Sequence, residues 1–520
     1  MSKEGKQMAR ENWGSSLGFI LAAAGSAIGL GNIWKFPYMV GENGGGSFVL
    51  VYLLCIVLIG LPVMCSEMLI GRSMKRNVIN AMSKLEQLSH RPIMRTILCL
   101  LATGLVTLFF YAHACGLVIL SALAIWAFSK KGFAIAGWIC TIVALVILSY
   151  YAVVGAWIVE YIWRSLSNTL TTGSSFGEYI SSPWHVLPSF IIFMTLTGIV
   201  VWGGIQKGIE LASKILMPAL FILLLIIIGR SLTLPGAMEG VKFLFKPTME
   251  AFSPKVCLMA LGQAFFSLSL GMAIAVTYGS YMKRKQNILR SAGCVGILDT
   301  LAALLAGLAI FPAVFSIAGP SGVTAGPGLI FGVLPQVFNA MFWGPVWAIC
   351  FFTMLLFAAV TSSASLLECG ATVFIERMRQ GHKRLSRSKA VLFGFIGCTL
   401  LGFLTVASTA DWSNIPWVEK ITRWFMGDLT QGTWFDTVDN FASNWCLPFV
   451  AFITVLLVGW AWNPRKLAPK LLAEGDDIQR YAWLLNTWSF LVRWVAPIAI
   501  LCVFLSFTGL VNFEKIFNLF

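Results

Sequence analysis

The chain has 520 residues, of which 58% are hydrophobic and only 11% charged, with a formal net charge of +15. No water-soluble fold hides that much apolar surface, and repeated apolar runs of about 20 residues identify a polytopic helical membrane protein. The basic excess argues against a nucleic-acid partner rather than for one, because the Lys and Arg residues sit in short loops between the apolar runs.

In chain order, apolar segments at 15–40, 47–71, 137–163, 185–202, 208–230, 256–282, 291–315, 343–375, 389–408, 436–462 and 481–510 predict membrane spans. The first carries Gly25, Gly29 and Gly31, then Pro37, which a continuous helix would avoid. A helix broken in hydrocarbon leaves backbone N–H and C=O groups without partners, which is tolerated only around a cavity or a ligand. Gly29-Leu30-Gly31 is therefore the leading candidate for a binding site. Half-helix N-termini suit an anion there, and freed carbonyls suit a cation. A basic start precedes Ala22–Ala27, but the apolar run continues to Pro37, too long for a signal peptide.

Residues 93–128 are apolar, yet Arg91, Arg95, Lys130 and Lys131 flank them, so both ends read as cytoplasmic. One helix of that length would run about 54 Å, too long for a single crossing. A re-entrant or tilted hairpin turning near His113–Gly116 is expected. The sixth span is interrupted by Gln263, Ser267, Ser269 and Gly271. A small-residue packing interface would use similar residues. Its place decides the reading: interruptions in the first and sixth spans make a five-plus-five arrangement, the pattern of an inverted-repeat transporter with a midplane site.

With the N-terminus in the cytoplasm, 27 Lys and Arg residues fall inside and eight outside, so the expected orientation is N-terminus in, C-terminus out. The 12 cysteines show no paired or metal-ligand spacing, and the four histidines are scattered. Neither GxxxxGK[ST] nor HExxH occurs, and the chain is not read as an enzyme.

The segments Gly25–Pro37, Glu42–Gly46, Gly60–Pro62 with Glu67, Ser149–Tyr151, Gly262–Gly271, Thr361–Ser363 and Phe435–Asp439 span nearly the whole chain except 93–128. On these the chain resembles the neurotransmitter:sodium symporter family, in the bacterial branch of the leucine-transporter type. The resemblance implies an all-α polytopic membrane protein, an inverted five-plus-five helix repeat with discontinuous helices 1 and 6, plus an eleventh helix; the apolar hairpin at 93–128, read from its flanking charges, is extra to that pattern. It implies a cytoplasmic tail at 1–14, a first repeat at 15–232, a second at 233–463, and a cytoplasmic loop with a final span at 464–520. The implied activity is import of a neutral, mainly apolar amino acid by alternating access, coupled to two sodium ions, across the bacterial cytoplasmic (inner) membrane. Lipid is the implied surroundings, with no nucleic acid and no implied oligomeric state. A proton-coupled or exchanging carrier of the same fold, and a non-transporting amino-acid sensor, are the alternatives.

Residue by residue, the resemblance implies one sodium site from the carbonyls of Gly25, Ile28 and Ala358 and the hydroxyls of Thr361 and Ser362. On their own, such hydroxyls would be read as bonding back to the preceding helical turn. A second sodium site would use Ala27, Asn32, Ser267 and Asp299, with Ser and Asp where Thr and Asn are usual. The substrate carboxylate would meet Leu30, Gly31 and the Tyr151 hydroxyl. Its ammonium would meet carbonyls of Ala27, Phe266, Ser267 and Ser269. Its side chain would face Ile147, Tyr151, Phe266, Met272 and Leu366, beside Ser362. Monoamine carriers place an Asp where Gly29 stands, so an amino acid is expected instead. Lys35 and Asp439 match an outer gate, with Lys where Arg is usual, which loses the bidentate fork. Arg10 and Glu376 match an inner gate, with Trp13 as plug. Glu67 and Glu368 match carboxylates that brace the unwound sixth helix. Relatives that use chloride hold it at positions resembling Tyr52, Gln263, Ser267 and a serine on the seventh helix. Here that last position is Ala303, and Asp299 one turn earlier would supply the missing negative charge, so transport is expected to be chloride-independent. A protonated Asp299 acting as Asn is the alternative, and protonation on the empty return step would give proton counter-transport.

Overall fold

A computed structural model describes residues 11–88, 132–248, 252–323, 326–380, 386–409, 434–462 and 464–507. The expected hairpin at 93–128 and the gate residue Arg10 lie outside the described residues. The chain is a helical membrane protein. Among the described residues nine helices are long and apolar enough to cross a bilayer, and two further spans are broken. The first span comprises α1 (Ser16–Ala27) and α2 (Gly31–Glu42), bent by 50°. Then follow α3 (Gly46–Met74), the short α4 (Val78–Leu88), α5 (Gly132–Leu166), α6 (Pro183–Trp202), α7 (Ile205–Leu232) and the short α8 (Ala237–Phe245). The second broken span comprises α9 (Pro254–Ser267) and α10 (Ile274–Ser280). The rest are α11 (Ile288–Ile317), the short α12 (Leu329–Asn339), α13 (Gly344–Gln380), α14 (Arg387–Thr409), α15 (Trp434–Ala461) and α16 (Ala482–Ser506). Helices occupy all eleven expected segments, in the expected order.

Most spans are apolar on all sides, so they face protein on one side and lipid on the other. Their ends are set by polar side chains. Ser15 caps α1, accepting from the Gly18 N–H at 2.9 Å. Ser253 caps α9, with Pro254 in the first position, and Asn287 caps α11. Each cap satisfies an N–H that the helix cannot. The amphipathic α4 is too short to span. It buries Val78, Ile79, Met82 and Leu85 and packs on α5.

The long α5 and α13 pack together through the centre, with α6, α14 and α7 beside them and α1 across α13. Glycines set the closest approaches. A Cβ on Gly71 would lie 2.0 Å from the Val276 carbonyl, and one on Gly279 would lie 2.6 Å from that of Met68. The inner half of the sixth span therefore lies backbone to backbone on α3, a packing that larger residues forbid.

Candidate substrate and ion site

Both breaks are held open by side chains from neighbouring helices. At the first, Tyr151 of α5 accepts from the Leu30 N–H at 3.2 Å, and Asn32 Oδ1 accepts from the Gly29 N–H at 3.2 Å. At the second, Ser269, Gly271 and Ala273 adopt positive φ angles of 52°, 76° and 63°. Two of these are not glycine, a conformation costing roughly 1–2 kcal/mol per residue. Glu67 of α3 stabilises it by accepting from the Gly271 N–H at 2.9 Å. Cys140 of α5 donates to the Gly271 carbonyl at 3.1 Å. The two breaks meet directly: Ser269 Oγ donates to the Ser26 carbonyl at 3.2 Å.

A small cavity of about 30 Å³ lies between the breaks, α5 and α13. Ala27, Leu30, Gly31, Ile147, Tyr151, Phe266, Ser269, Met272, Ser362 and Leu366 all line it. Gly29 lines it too, together with Ser26 and Ile274, which sequence reasoning did not single out. Both flank a break, Ser26 just before the first and Ile274 just after the second, and that position was the available signal. No lining side chain is charged. Ser267 is not among the residues lining the cavity, and its hydroxyl lies against Asn32, Tyr52 and Asp299.

Beside the cavity, the Ser362 hydroxyl of α13 faces carbonyls of α1. Ser362 Oγ lies 3.2 Å from the Gly25 carbonyl and 3.4 Å from that of Ile28. Thr361 Oγ1 donates to its own helix, 3.0 Å from the Phe357 carbonyl and 3.1 Å from that of Ala358. All of these are hydrogen-bond contacts, and Thr361 makes both of its own to the preceding turn of α13.

A second polar cluster is wholly buried. Asn32 Nδ2 donates to Asp299 Oδ1 at 2.8 Å and lies 3.0 Å from Ser267 Oγ. Ser267 Oγ donates to Asp299 Oδ2 at 2.6 Å. The Tyr52 hydroxyl lies 3.0 Å from Ser267 Oγ and 3.5 Å from Asp299 Oδ2. Gln263 Nε2 donates to the Gly31 carbonyl at 2.8 Å. Asp299 thus engages Tyr52 and Ser267, two of the positions that resemble a chloride site. Ala303 is fully buried one turn along α11.

Above the cavity, Lys35 Nζ sits 4.3 Å from the centre of the Phe266 ring. It makes no ion pair with Asp439, whose Oδ1 instead accepts from the Tyr150 hydroxyl and Ser443 Oγ, both at 2.8 Å. The expected pair is thus two separate contacts: a cation on the aromatic lid, and a carboxylate fixed to α5. Asp439→Ala should lower uptake about tenfold, since losing a charged acceptor costs about 1.5–3 kcal/mol. Lys35→Arg keeps a cation over the ring and should change uptake less than about twofold. Equal damage from both substitutions in an uptake assay would remove this distinction.

Below the cavity, the Trp13 indole is buried and donates to the Tyr278 carbonyl at 3.0 Å. Glu376 accepts from the Asn77 N–H at 2.9 Å and from Asn80 Nδ2 at 3.2 Å, tying α13 to α4. Glu368 does not reach the unwound segment. It pairs with Arg387 at 2.5 Å and accepts from the Tyr281 hydroxyl at 2.8 Å, beyond the inner end of α10. The salt bridge to Arg387 explains the difference, because the arginine draws the carboxylate toward α14. Glu210, not anticipated, accepts from the Gly14 N–H at 2.7 Å and from Ser15 Oγ at 3.1 Å, and pairs with Lys214.

Two discontinuous helices that enclose a cavity within a bundle of membrane-spanning helices are the architecture of a multi-pass transporter. The model of the sodium:neurotransmitter symporter family matches residues 10–89 and 174–518, and the chain belongs to that family. An uncharacterized sodium-dependent transporter, YhdH of Bacillus subtilis, is 36% identical over 96% of this chain and 98% of its own. An uncharacterized sodium-dependent transporter of Haemophilus influenzae is 31% identical over 97% and 99%. The crystal structure of MhsT in complex with L-phenylalanine superposes with a TM-score of 0.76 at 36% identity, covering 96% of this chain and all of that one. The protein is a sodium-dependent symporter.

Proposed function

We propose that the protein imports a neutral, mainly apolar amino acid, with two sodium ions and without chloride, into a bacterial cell. The cavity carries this reading: its lining is apolar and uncharged, and the backbone groups of two broken helices open onto it. A charged substrate side chain would lose its hydration there without compensation. The complex of MhsT with L-phenylalanine supports the substrate class.

In this reading the carboxylate lies at Leu30, Gly31 and Tyr151, and the ammonium faces the carbonyls of Ala27, Phe266, Ser267 and Ser269. One sodium ion binds among Gly25, Ile28, Ala358, Thr361 and Ser362, joining α1 to α13. The other binds at Ala27, Asn32, Ser267 and Asp299, beside the substrate carboxylate. Closure of Phe266 and Tyr151 precedes release of Trp13. Each charge moved with the membrane potential adds about 2.3 kcal/mol per 100 mV. The excess of basic residues in alternate loops favours a cytoplasmic N-terminus, and residues 15–232 and 233–463 form the two repeats.

Uptake of a labelled amino-acid panel into proteoliposomes, with and without a sodium gradient, tests this directly. Accumulation driven by a proton gradient alone, or binding without accumulation, would overturn it. Ser362→Ala and Thr361→Ala should each raise the sodium concentration for half-maximal uptake about tenfold, because each removes one oxygen from a charged site. An unchanged sodium dependence in both would displace the ion from α13.

A further inference from the structure

Arg493 lies within the last span, far from both proposed gates. It sits in a π-helical turn, Leu491–Val495, of α16. That turn packs on two others: Ile56–Gly60 of α3 and Leu457–Ala461 of α15. A Cβ on Gly60 would lie 2.5 Å from Leu268 Cδ1 in the second break. Arg493 therefore lies inside the last span, beside the end of α15, where a Cβ on Gly459 would come 3.2 Å from the Arg493 Cα. π-turns gather at functional positions, and an intramembrane arginine calls for a partner.

Among the described residues that partner is not a carboxylate. The guanidinium stacks on two indoles, 4.8 Å from the Trp460 ring centre and 5.6 Å from that of Trp494. Arg493 Nε is buried without a hydrogen-bond partner. The Trp460 indole N–H donates to the Arg493 carbonyl at 2.9 Å, which fixes the cage. The cage opens outward: Trp494 is 46% exposed, and Phe490 and Ile498 of the same helix are 58% and 62% exposed. In a bilayer those faces meet lipid. Helical side chains lean toward the N-terminus, so Arg493 leans toward the basic loop that precedes α16. There Lys470, which is exposed, repeats the motif, with Nζ 5.6 Å from the Trp462 ring centre. The tenth span ends at Ala461, level with Arg493.

We infer that Arg493 and its tryptophan cage bind the phosphate of an anionic phospholipid from the leaflet on the side of the 464–480 loop. Snorkelling and local thinning bring the headgroup to an arginine inside a span. Two cations, each backed by an aromatic face, favour a net negative lipid over a zwitterionic one. The inference does not depend on which amino acid is carried.

The test is native mass spectrometry of the detergent-purified protein with phosphatidylglycerol and with phosphatidylcholine. Wild type should bind phosphatidylglycerol about tenfold more tightly, as expected of a charge-assisted phosphate contact. Arg493→Gln should abolish that preference, and Arg493→Lys should keep part of it. A sodium-induced rise in Tm reports that each variant is folded. If Arg493→Gln does not fold, Trp494→Leu at the exposed ring should lower the preference about threefold. Equal phosphatidylglycerol binding by wild type and whichever of these two variants folds overturns the inference. So does displacement of the lipid by millimolar inorganic phosphate, which would mark a free-anion site. Loss of a lipid-independent dimer in the variant, with lipid binding unchanged, would assign Arg493 to contact between copies instead.

Discussion

Gly29→Ala is expected to reduce amino-acid uptake to below about 1% of wild type while the protein still folds, a loss equivalent to about 2.7 kcal/mol. The backbone at Gly29 is not in a positive-φ conformation, so alanine fits it sterically. The side chain does not fit. Its Cβ would lie 2.5 Å from Ser362 Oγ and 2.9 Å from the Tyr151 hydroxyl. Neither neighbour can yield cheaply. Ser362 is bonded to the Gly25 and Ser26 carbonyls, and Tyr151 is bonded to the Leu30 N–H. One methyl group therefore disturbs the proposed ion site and the proposed carboxylate site together, and overpacking alone costs about 1–3 kcal/mol. Substrate binding and uptake by the purified variant measure this. Wild-type uptake would place the transported molecule away from the first break.

Replacing Asp299 by Asn should lower uptake in chloride-free buffer about tenfold or more, and Asp299→Asn with Ala303→Ser should restore it only when chloride is present. Coulomb attraction between a carboxylate and a cation about 4 Å away is about 4 kcal/mol at an effective dielectric of 20. Asparagine loses that attraction. It also frees the Ser267 and Tyr52 hydroxyls that now face Asp299 Oδ2. A serine at position 303 would add a further donor on the same face of α11, one turn away. Wild-type uptake should not change when gluconate replaces chloride. A collapse of wild-type uptake on that exchange would leave Asp299 without the role given to it.

The breaks were legible because they violate helix chemistry within runs that must be helical. Gly29, Gly31, Ser269 and Gly271 stand out against Leu, Ile and Phe, and the structure joins the first three of them at one cavity. The family resemblance added the distant residues, such as Ile147 and Leu366, that no local pattern would have linked. Pairings between charges were harder to read. Lys35 has an aromatic ring within reach, and Asp439 has Tyr150, a residue unremarkable in sequence. Glu368 is claimed by Arg387, 19 residues further on, through a contact that only helix packing creates. Glu210 carries no local signal beyond Lys214 four residues on, and its other partners, the Gly14 N–H and Ser15 Oγ, lie nearly 200 residues earlier.

The glycine contacts between α3 and α10 make the half-helices α1 and α10 unequal. Where Gly71 and Gly279 meet their neighbours' main chains, sliding or tilting would drive carbonyls into Cα atoms. The inner half of the sixth span is in effect a fixed jamb. The inner half of the first span is secured at its foot by a few polar latches: the Trp13 indole on Tyr278, and the Gly14 and Ser15 bonds to Glu210. A door built this way swings on one leaf. Its threshold is set by how readily water can replace those latches, so stiffness of the doorway at this end of the bundle resides in residues 13–15 rather than in the larger helix pair behind them.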